Sequence, residues 1–293
     1  MEKKEEFDSR YLNLLTDFGF HKVFWTKSLL IDFLNQVIKE EGLITDIQYL
    51  LPEQLGSSKR DRKAIFDIFC TNEKGEFFIV EMQKEKQLFF RDRSLYYASL
   101  PIQKQAPRGN WNFRLKAVYM IGILDFVLFD ECEEDREQVI ERVHLVRERA
   151  KTLYSNNLEF VFIELPKFRK TEAELETRCD RWLYLLKNLY KLQECPASIQ
   201  DEIFEELFQI ADIKQLTKKD MRAYKKSILE YNDVRNALDC AREESRKEGI
   251  EKGRKEEKAF VIQQCFQKNM PIEDIVFITG YSKKQIMEMK TKN

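Results

Sequence analysis

Hydrophobic positions in the first half of the chain follow two periods, one typical of helices and one typical of strands. Apolar residues at helical spacing predict a helix over residues 28–41, with Ser28 as its N-cap, and another over residues 88–106. Shorter apolar runs predict strands over residues 46–51, 64–71, 76–83, 116–123, 139–146 and 159–165. Alternating helices and strands of this kind predict an α/β domain.

The pattern changes after residue 168. Helical periodicity prevails from Glu172, and an almost entirely charged segment follows over residues 242–258 before apolar positions return. We therefore expect three regions: an α/β domain over residues 1–168, a helical region over residues 169–241, and a charged connector with a small helical tail over residues 242–293.

A β-hairpin is predicted where the second and third strands meet, because the link between them is too short for any other connection. Asn72 and Gly75 suit the ends of a three-residue turn, with Gly75 in the left-handed conformation. This register pairs Asn72 with Glu76 and, further inward, Asp67 with Glu81. Alternation also places Phe66 on the face opposite to Asp67.

The two acids interrupt otherwise apolar strands, which is a pattern expected at functional sites. Directly opposed residues have Cβ atoms about 5 Å apart. Two carboxylates at that distance repel by about 3 kcal/mol at an effective dielectric constant near 20. A proton, a basic side chain or a divalent cation must offset this repulsion, and oxygen ligands alone favour Mg²⁺ or Mn²⁺.

Composition excludes several classes of protein. Lys and Arg number 50 against 51 Asp and Glu, so binding to nucleic acid must use a local basic patch. The six cysteines are scattered without a C-x-x-C pair, and the only histidines are His21 and His144, which excludes a multi-histidine metal site. We interpret both histidines as structural. Since no secretory leader and no membrane-spanning run is evident, we expect a cytoplasmic protein without membrane contact.

The ordered set of motifs resembles a known family. Asp67, the triplet Glu81-Met82-Gln83, the segment Thr16–Phe24, Arg93 with Tyr97, and the apolar strand 118–124 together resemble the PD-(D/E)xK nuclease core, in its Rpn-type recombination-promoting nuclease and transposase branch. The resemblance covers roughly residues 10–165 and implies a restriction-endonuclease-like mixed sheet flanked by helices, here followed by a helical C-terminal extension.

The same resemblance implies metal-dependent hydrolysis of phosphodiester bonds. Asp67, Glu81 and the carbonyl of Met82 would hold Mg²⁺ or Mn²⁺. Gln83 stands where the wider family has a lysine. Lys63 or Lys104 could restore that charge, and Asp17 would fit the N-terminal acid of the family.

A second set of residues could bind the substrate phosphate: Arg91, Arg93, Tyr97 and Lys104. Arg93 and Tyr97 share a helix face because they are four residues apart. Packing of that face on the sheet explains Arg91, Arg93 and Tyr97 almost as well. The basic run 59–63 would lie beside the acids, although such loops are more often merely solvated.

Residues 260–289 resemble a helix-turn-helix. A glycine turn at Gly280 separates the last two predicted helices, as that motif requires. A small helical pair that mediates self-association, as in a homodimer, explains the pattern as well. The charged segment 242–258 is better interpreted as a solvated helix than as a nucleic-acid arm, because its charges nearly cancel.

The function predicted from the sequence is that of a metal-dependent DNA endonuclease acting in recombination or element mobility. The alternative is a non-catalytic module that binds DNA or a protein partner and carries a degenerate acidic site. A nuclease of RNA, with a defence or toxin-like role, is the third.

Overall fold

A computed structural model describes residues 9–38, 43–50, 66–106 and 109–290 of the 293-residue chain. The chain divides into two compact units, Met1–Val234 and Arg235–Asn293. Lys63 and the basic run 59–63 lie outside the described residues, as do residues 64 and 65 of the predicted second strand.

The first unit combines helices with a single sheet of six strands. Its helices are α1 (Asp17–Phe24), α2 (Lys27–Val37), α3 (Phe90–Lys104), α4 (Arg178–Asn188), α5 (Glu202–Ala211) and the first part of α6 (Lys218–Gln267). Its strands are β1 (Ile47–Tyr49), β2 (Ile68–Asn72), β3 (Phe77–Gln83), β4 (Val118–Leu124), β5 (Ile140–Arg147) and β6 (Thr152–Glu164).

The sheet is mixed and has the strand order β1-β2-β3-β4-β6-β5. Strands β3, β4 and β6 run parallel, and the other pairs are antiparallel. Helix α3 makes the crossover from β3 to β4, which is the connection that parallel neighbours need. The predicted α/β class and the mixed sheet with flanking helices are therefore confirmed.

The predicted hairpin is confirmed in both its turn and its register. The N–H of Gly75 donates to the carbonyl of Asn72 at 3.0 Å, and Gly75 has a φ of 77°, which favours glycine. The Asn72 side-chain oxygen accepts from the N–H groups of Lys74 and Glu76. Beyond the turn, Phe69 pairs with Ile79 and Ile68 with Val80, so Asp67 comes level with Glu81.

Each face of the sheet is covered by its own apolar layer. Ile68, Val80 and Ile121 face the layer that contains α1, α2, α4 and α5, whereas Phe69 and Ile79 face α3. The prediction that Phe66 shares a face with Ile68 is wrong. Phe66 packs with Phe69 on the α3 side, because strand β2 begins only at Ile68 and a bend at Asp67 breaks the alternation.

The helices α4 and α5, which follow residue 168, join the core of the α/β part. The indole of Trp182 packs against Phe24, Phe33 and Phe204, which come from three other helices. Arg178 bridges the carboxylates of Asp32 and Asp201 beside this cluster. The interval 169–241 thus contributes to one shared core, and the predicted boundaries at residues 168 and 241 stay predictions.

Some predicted limits differ from the observed ones. The first predicted helix ends at Val37, because Ile38 is already extended. Its N-cap position is occupied by Thr26 instead of Ser28, whose hydroxyl donates to Glu206 on α5. The last predicted strand, 159–165, is part of the longer β6, whose polar first half carries little apolar signal.

The second unit contains the end of α6 together with α7 (Ile272–Thr279) and α8 (Lys283–Lys290). Ile262, Cys265, Ile275 and Ile286 form its small core, and Gly280 ends α7 in the left-handed conformation with a φ of 69°. Among the described residues, no helix combines the length and the apolar character needed to cross a membrane.

Candidate functional site

Asp67 and Glu81 are joined through the backbone at the open end of the hairpin. The N–H of Asp67 donates to Oε1 of Glu81 at 3.2 Å, and the N–H of Met82 donates to Oδ2 of Asp67 at 2.8 Å. These two bonds replace the regular strand ladder at the point where β2 begins. Both carboxylates are thereby fixed beside the same stretch of backbone.

Glu81 is the more buried acid, with 3% of its surface exposed. Its Oε2 accepts a hydrogen bond from Nε2 of Gln83 at 3.2 Å. Nη2 of Arg93 on α3 lies 3.7 Å from the same oxygen, beyond hydrogen-bond distance, while Nη1 of Arg93 donates to Gln87 at 2.6 Å. The guanidinium also lies over the ring of Tyr97, at 5.5 Å from its centroid.

The buried acid pair is under-neutralised. Burial, followed by the charge of Asp67, raises the pKa of Glu81 to about 8, against the smaller opposing effects of Arg93 and Gln83. Burial also raises the pKa of Asp67, although the Met82 amide and His21 oppose it. Burial and the nearby Glu81 raise the pKa of Tyr97 as well. An additional positive charge beside the two carboxylates would therefore be favourable.

Helix α1 brings two more side chains toward the pair, those of Asp17 and His21. The side-chain oxygen of Thr16 caps this helix by accepting from the N–H of Gly19 at 3.1 Å. Nε2 of His21 lies 3.8 Å from Oδ1 of Asp67 and has no hydrogen-bond partner among the residues that the structure describes. Asp17 forms an ion pair with Lys84, at 2.7 Å between Oδ1 and Nζ.

The structure brings together some of the predicted phosphate-binding residues and separates others. Arg93 and Tyr97 lie beside Glu81, and the guanidinium of Arg93 lies near both the Glu81 carboxylate and the Tyr97 ring. Arg91 points elsewhere, because its Nη2 pairs with Glu131 at 2.7 Å and its guanidinium covers Phe129. Lys104 ends α3, and the helical rise places it about 16 Å along the axis from Arg93. Lys63 falls outside the described residues.

Sequence reasoning passed over two residues that the structure places at the acids. Lys84 follows Gln83 directly and is 15% exposed, and its charge opposes the rise in the pKa of Asp67. His21, interpreted above as structural, faces the same carboxylate. The signal for Lys84 was its position next to the Glu81-Met82-Gln83 triplet, whereas nothing local pointed to His21.

The residues present fit a divalent cation. Asp67 and Glu81 offer carboxylate oxygens, and the N–H of Met82 points toward Asp67. Because the N–H and C=O of one residue in a strand point to the same neighbour, the Met82 carbonyl faces this side too. Oxygen donors of this kind suit Mg²⁺ or Mn²⁺. Within the described residues, no cluster of three or more His, Cys, Asp or Glu side chains is placed to hold a metal ion, so any ion at the two acids would need further ligands from water or substrate.

The family is decided by comparison with known proteins. A family model described as "PD-(D/E)XK nuclease family transposase" matches residues 14–241. The chain belongs to this family. No curated protein and no solved structure matches the chain.

The interval matched by the PD-(D/E)XK nuclease family transposase model contains the whole sheet, helices α1 to α5 and the first part of α6. Asp67, Glu81 and Gln83 all lie within it, as does Asp17 at the start of α1. Residues 242–293, with the small three-helix core, lie outside it. The predicted family and the nuclease-like fold are therefore confirmed, and the roles of the individual residues remain to be proposed.

Proposed function

We propose that this PD-(D/E)XK transposase-family protein is a metal-dependent DNA endonuclease that acts in recombination or element mobility in the cytoplasm. The observation that carries the proposal is the placement of Asp67 and Glu81 on opposite strands of one hairpin, inside the family interval and short of positive charge. A buried acid pair of this kind costs stability, and departures from an apolar core that cost stability are expected at functional sites.

Asp67, Glu81 and the carbonyl of Met82 would hold Mg²⁺ or Mn²⁺. A divalent ion bound there would activate water and offset the negative charge that develops on the attacked phosphate. Hydrogen bonds from Met82 to Asp67 and from Gln83 to Glu81 fix the orientation of the two carboxylates before any ion binds. The protein therefore supplies a preorganised pair of ligands.

Arg93 and Tyr97 would contact the substrate phosphate. Arg93 stands next to Glu81 without forming a close ion pair, so part of its hydrogen-bonding capacity remains for a phosphate oxygen. Gln83 would donate to the phosphate or orient the attacking water. Lys84 lies one residue after Gln83, the position at which the wider family has a lysine. Its ammonium group would supply the positive charge that the Gln83 amide does not.

A second candidate function is supported by Gln83 itself. An amide in the place of the family lysine supplies no charge, which favours a module that binds DNA or a partner without cleaving it. The two candidates differ in the effect of Gln83→Lys. A lysine there would strengthen cleavage if the acids are catalytic, and would leave an inert protein inert otherwise.

The direct test is plasmid cleavage by the full-length protein with Mg²⁺ or Mn²⁺. We expect nicking or linearisation by the wild type, and a loss of at least about 100-fold in Asp67→Asn and in Glu81→Gln, since each variant loses a ligand charge. The matched control is Glu131→Gln, which removes a surface acid that pairs with Arg91.

Two outcomes would overturn the proposal. One is a cleavage activity that Asp67→Asn and Glu81→Gln retain in full. The other is a wild type that shifts DNA in a gel but does not cut it with either ion, which would favour the binding module. Cleavage of RNA in preference to DNA would keep the site and change the substrate.

A further inference from the structure

Strand β5 forms an edge of the sheet and carries exposed apolar side chains. The sheet order places β5 last, and within the described residues no strand pairs with its outer side. Val143, Leu145 and Val146 are 37%, 46% and 54% exposed along this strand. Free edges of this length present unpaired N–H and C=O groups that favour pairing with another strand.

The far half of the β5–β6 hairpin extends beyond the rest of the sheet as an arm. Strand β4 pairs with Leu158–Glu164 of β6, and within the described part of the chain the residues of β6 before Leu158 pair only with β5. Leu153 and Tyr154 on this arm are also exposed, at 50% and 75%. The arm therefore carries apolar side chains that its own sheet does not cover.

The arm lies at the end of the sheet opposite to the acid pair. Glu81 is level with Gly122 and Phe162, whereas the arm begins beyond Leu158. At about 3.3 Å per residue, the arm tip lies roughly 25–30 Å along the sheet from Glu81. The arm is therefore too far from the acid pair to contact a phosphate bound there.

The sequence of β5 is complementary to itself. We propose that β5 pairs antiparallel with β5 of a second copy of this chain, around a two-fold axis at His144. In this register Val143 lies opposite Leu145 of the partner subunit, and Glu141 lies opposite Arg147 of the partner subunit. Residues two apart on a strand share a face, so an apolar centre is flanked by opposite charges at both ends.

Charge complementarity favours a second copy of this chain over other partners for the β5 edge. Neither Glu141 nor Arg147 forms an ion pair with a described residue of its own chain, although both lie on the edge strand. A two-fold axis forms the pair of Glu141 with Arg147 of the partner subunit twice, once at each end of the interface. This is the isologous arrangement of most homodimers. The pairing also satisfies the free backbone groups of the edge.

The inference does not depend on nuclease activity, and its test uses oligomeric state alone. Sedimentation equilibrium of the full-length protein should show a dimer. Glu141→Lys and Arg147→Glu should each weaken the dimer by about tenfold or more, because each places like charges opposite one another. The double variant E141K/R147E restores opposite charges and should recover the wild-type dissociation constant.

Matched controls separate this effect from misfolding. Glu133→Lys makes the same charge change at an exposed acid outside the strand and should leave the dimer unchanged. The circular dichroism spectrum and thermal midpoint of each variant should match those of the wild type. Variants of Asp67 should dimerise normally even if they abolish cleavage.

Three results would overturn the proposal. A wild type that stays monomeric at about 100 µM would exclude a specific dimer of useful strength. A dimer that E141K and R147E leave intact would point to the C-terminal helices instead. A monomer whose basic arm residues (Arg147, Arg149 and Lys151) prove necessary for binding duplex DNA would assign the arm to nucleic acid.

Discussion

The amide of Asp67 donates directly to the carboxylate of Glu81, at 3.2 Å between nitrogen and Oε1. The two acids are therefore connected by the fold itself and do not depend on a bound ion to bring them together. The same hydrogen bond opposes the rise in the pKa of Glu81, but burial and the Asp67 charge exceed it. An acid pair held in this way is preorganised and, without a cation, costs stability.

The first prediction concerns the pH dependence of stability. The pKa of Glu81 is raised from 4.5 to about 8, so the folded protein binds a proton more tightly than the unfolded chain between these values. The free energy of unfolding of the metal-free protein should therefore fall as pH rises from 5 to 8, by about 1–3 kcal/mol. Glu81→Gln should remove most of this decline, as measured by urea denaturation with a chelator present.

Adding Mn²⁺ supplies a second readout for the same pair. At pH 8 the ion should raise the thermal midpoint of the wild type and leave that of Glu81→Gln nearly unchanged, because binding to the folded state stabilises it. Glu131→Gln should behave as the wild type in both measurements. An identical pH slope in Glu81→Gln and the wild type would show that Glu81 is not the titrating group.

The second prediction uses two arginines on one helix. Arg93 lies beside Glu81 and Tyr97, whereas Arg91, two residues earlier, pairs with surface Glu131. We expect Arg93→Gln to reduce plasmid cleavage by about 100-fold, since it removes a charge at the phosphate position. Arg91→Gln should stay within about threefold of the wild type. Equal losses in both variants would indicate a general effect of helix charge.

The third prediction concerns the close packing of α1. A Cβ added to Gly19 would come within 2.1 Å of the Asn13 carbonyl oxygen, so this helix turn must shift to accept any side chain. Gly19→Ala should lower the free energy of unfolding by about 2–4 kcal/mol. It should also reduce cleavage, because α1 carries Asp17 and His21 to the acids.

A matched glycine provides the control for this packing effect. Gly249 lies in the exposed part of α6, and a Cβ there would meet nothing within 4 Å. Gly249→Ala should leave stability unchanged or raise it by about 0.5–1 kcal/mol, because alanine favours helix. A Gly19→Ala variant as stable as Gly249→Ala would show that the start of α1 relaxes freely. Chemical denaturation of both variants decides between these outcomes.

The hairpin could be predicted from the sequence because its determinants are local. Asn72 and Gly75 specify the turn, the turn specifies the register, and the register brings Asp67 level with Glu81. The face of Phe66 could not be predicted in the same way. Alternation holds only within a strand, and the bend at Asp67 lies just outside β2.

The helix side chains around the acids were harder to predict, because their positions depend on tertiary packing. His21 reaches Asp67 from a helix 46 positions earlier in the chain, and Arg93 reaches Glu81 from the helix after β3. Nothing in the local sequence distinguishes Arg93 from Arg91. Only the direction of each side chain on its element decides which of them approaches the carboxylates.

The acids of this protein share one hairpin, fourteen positions apart, whereas His21 and Arg93 reach them from two separate helices. The spacing of the two carboxylates therefore follows from one turn and its register, whereas the approach of the two helix side chains follows from the packing of each helix on the sheet.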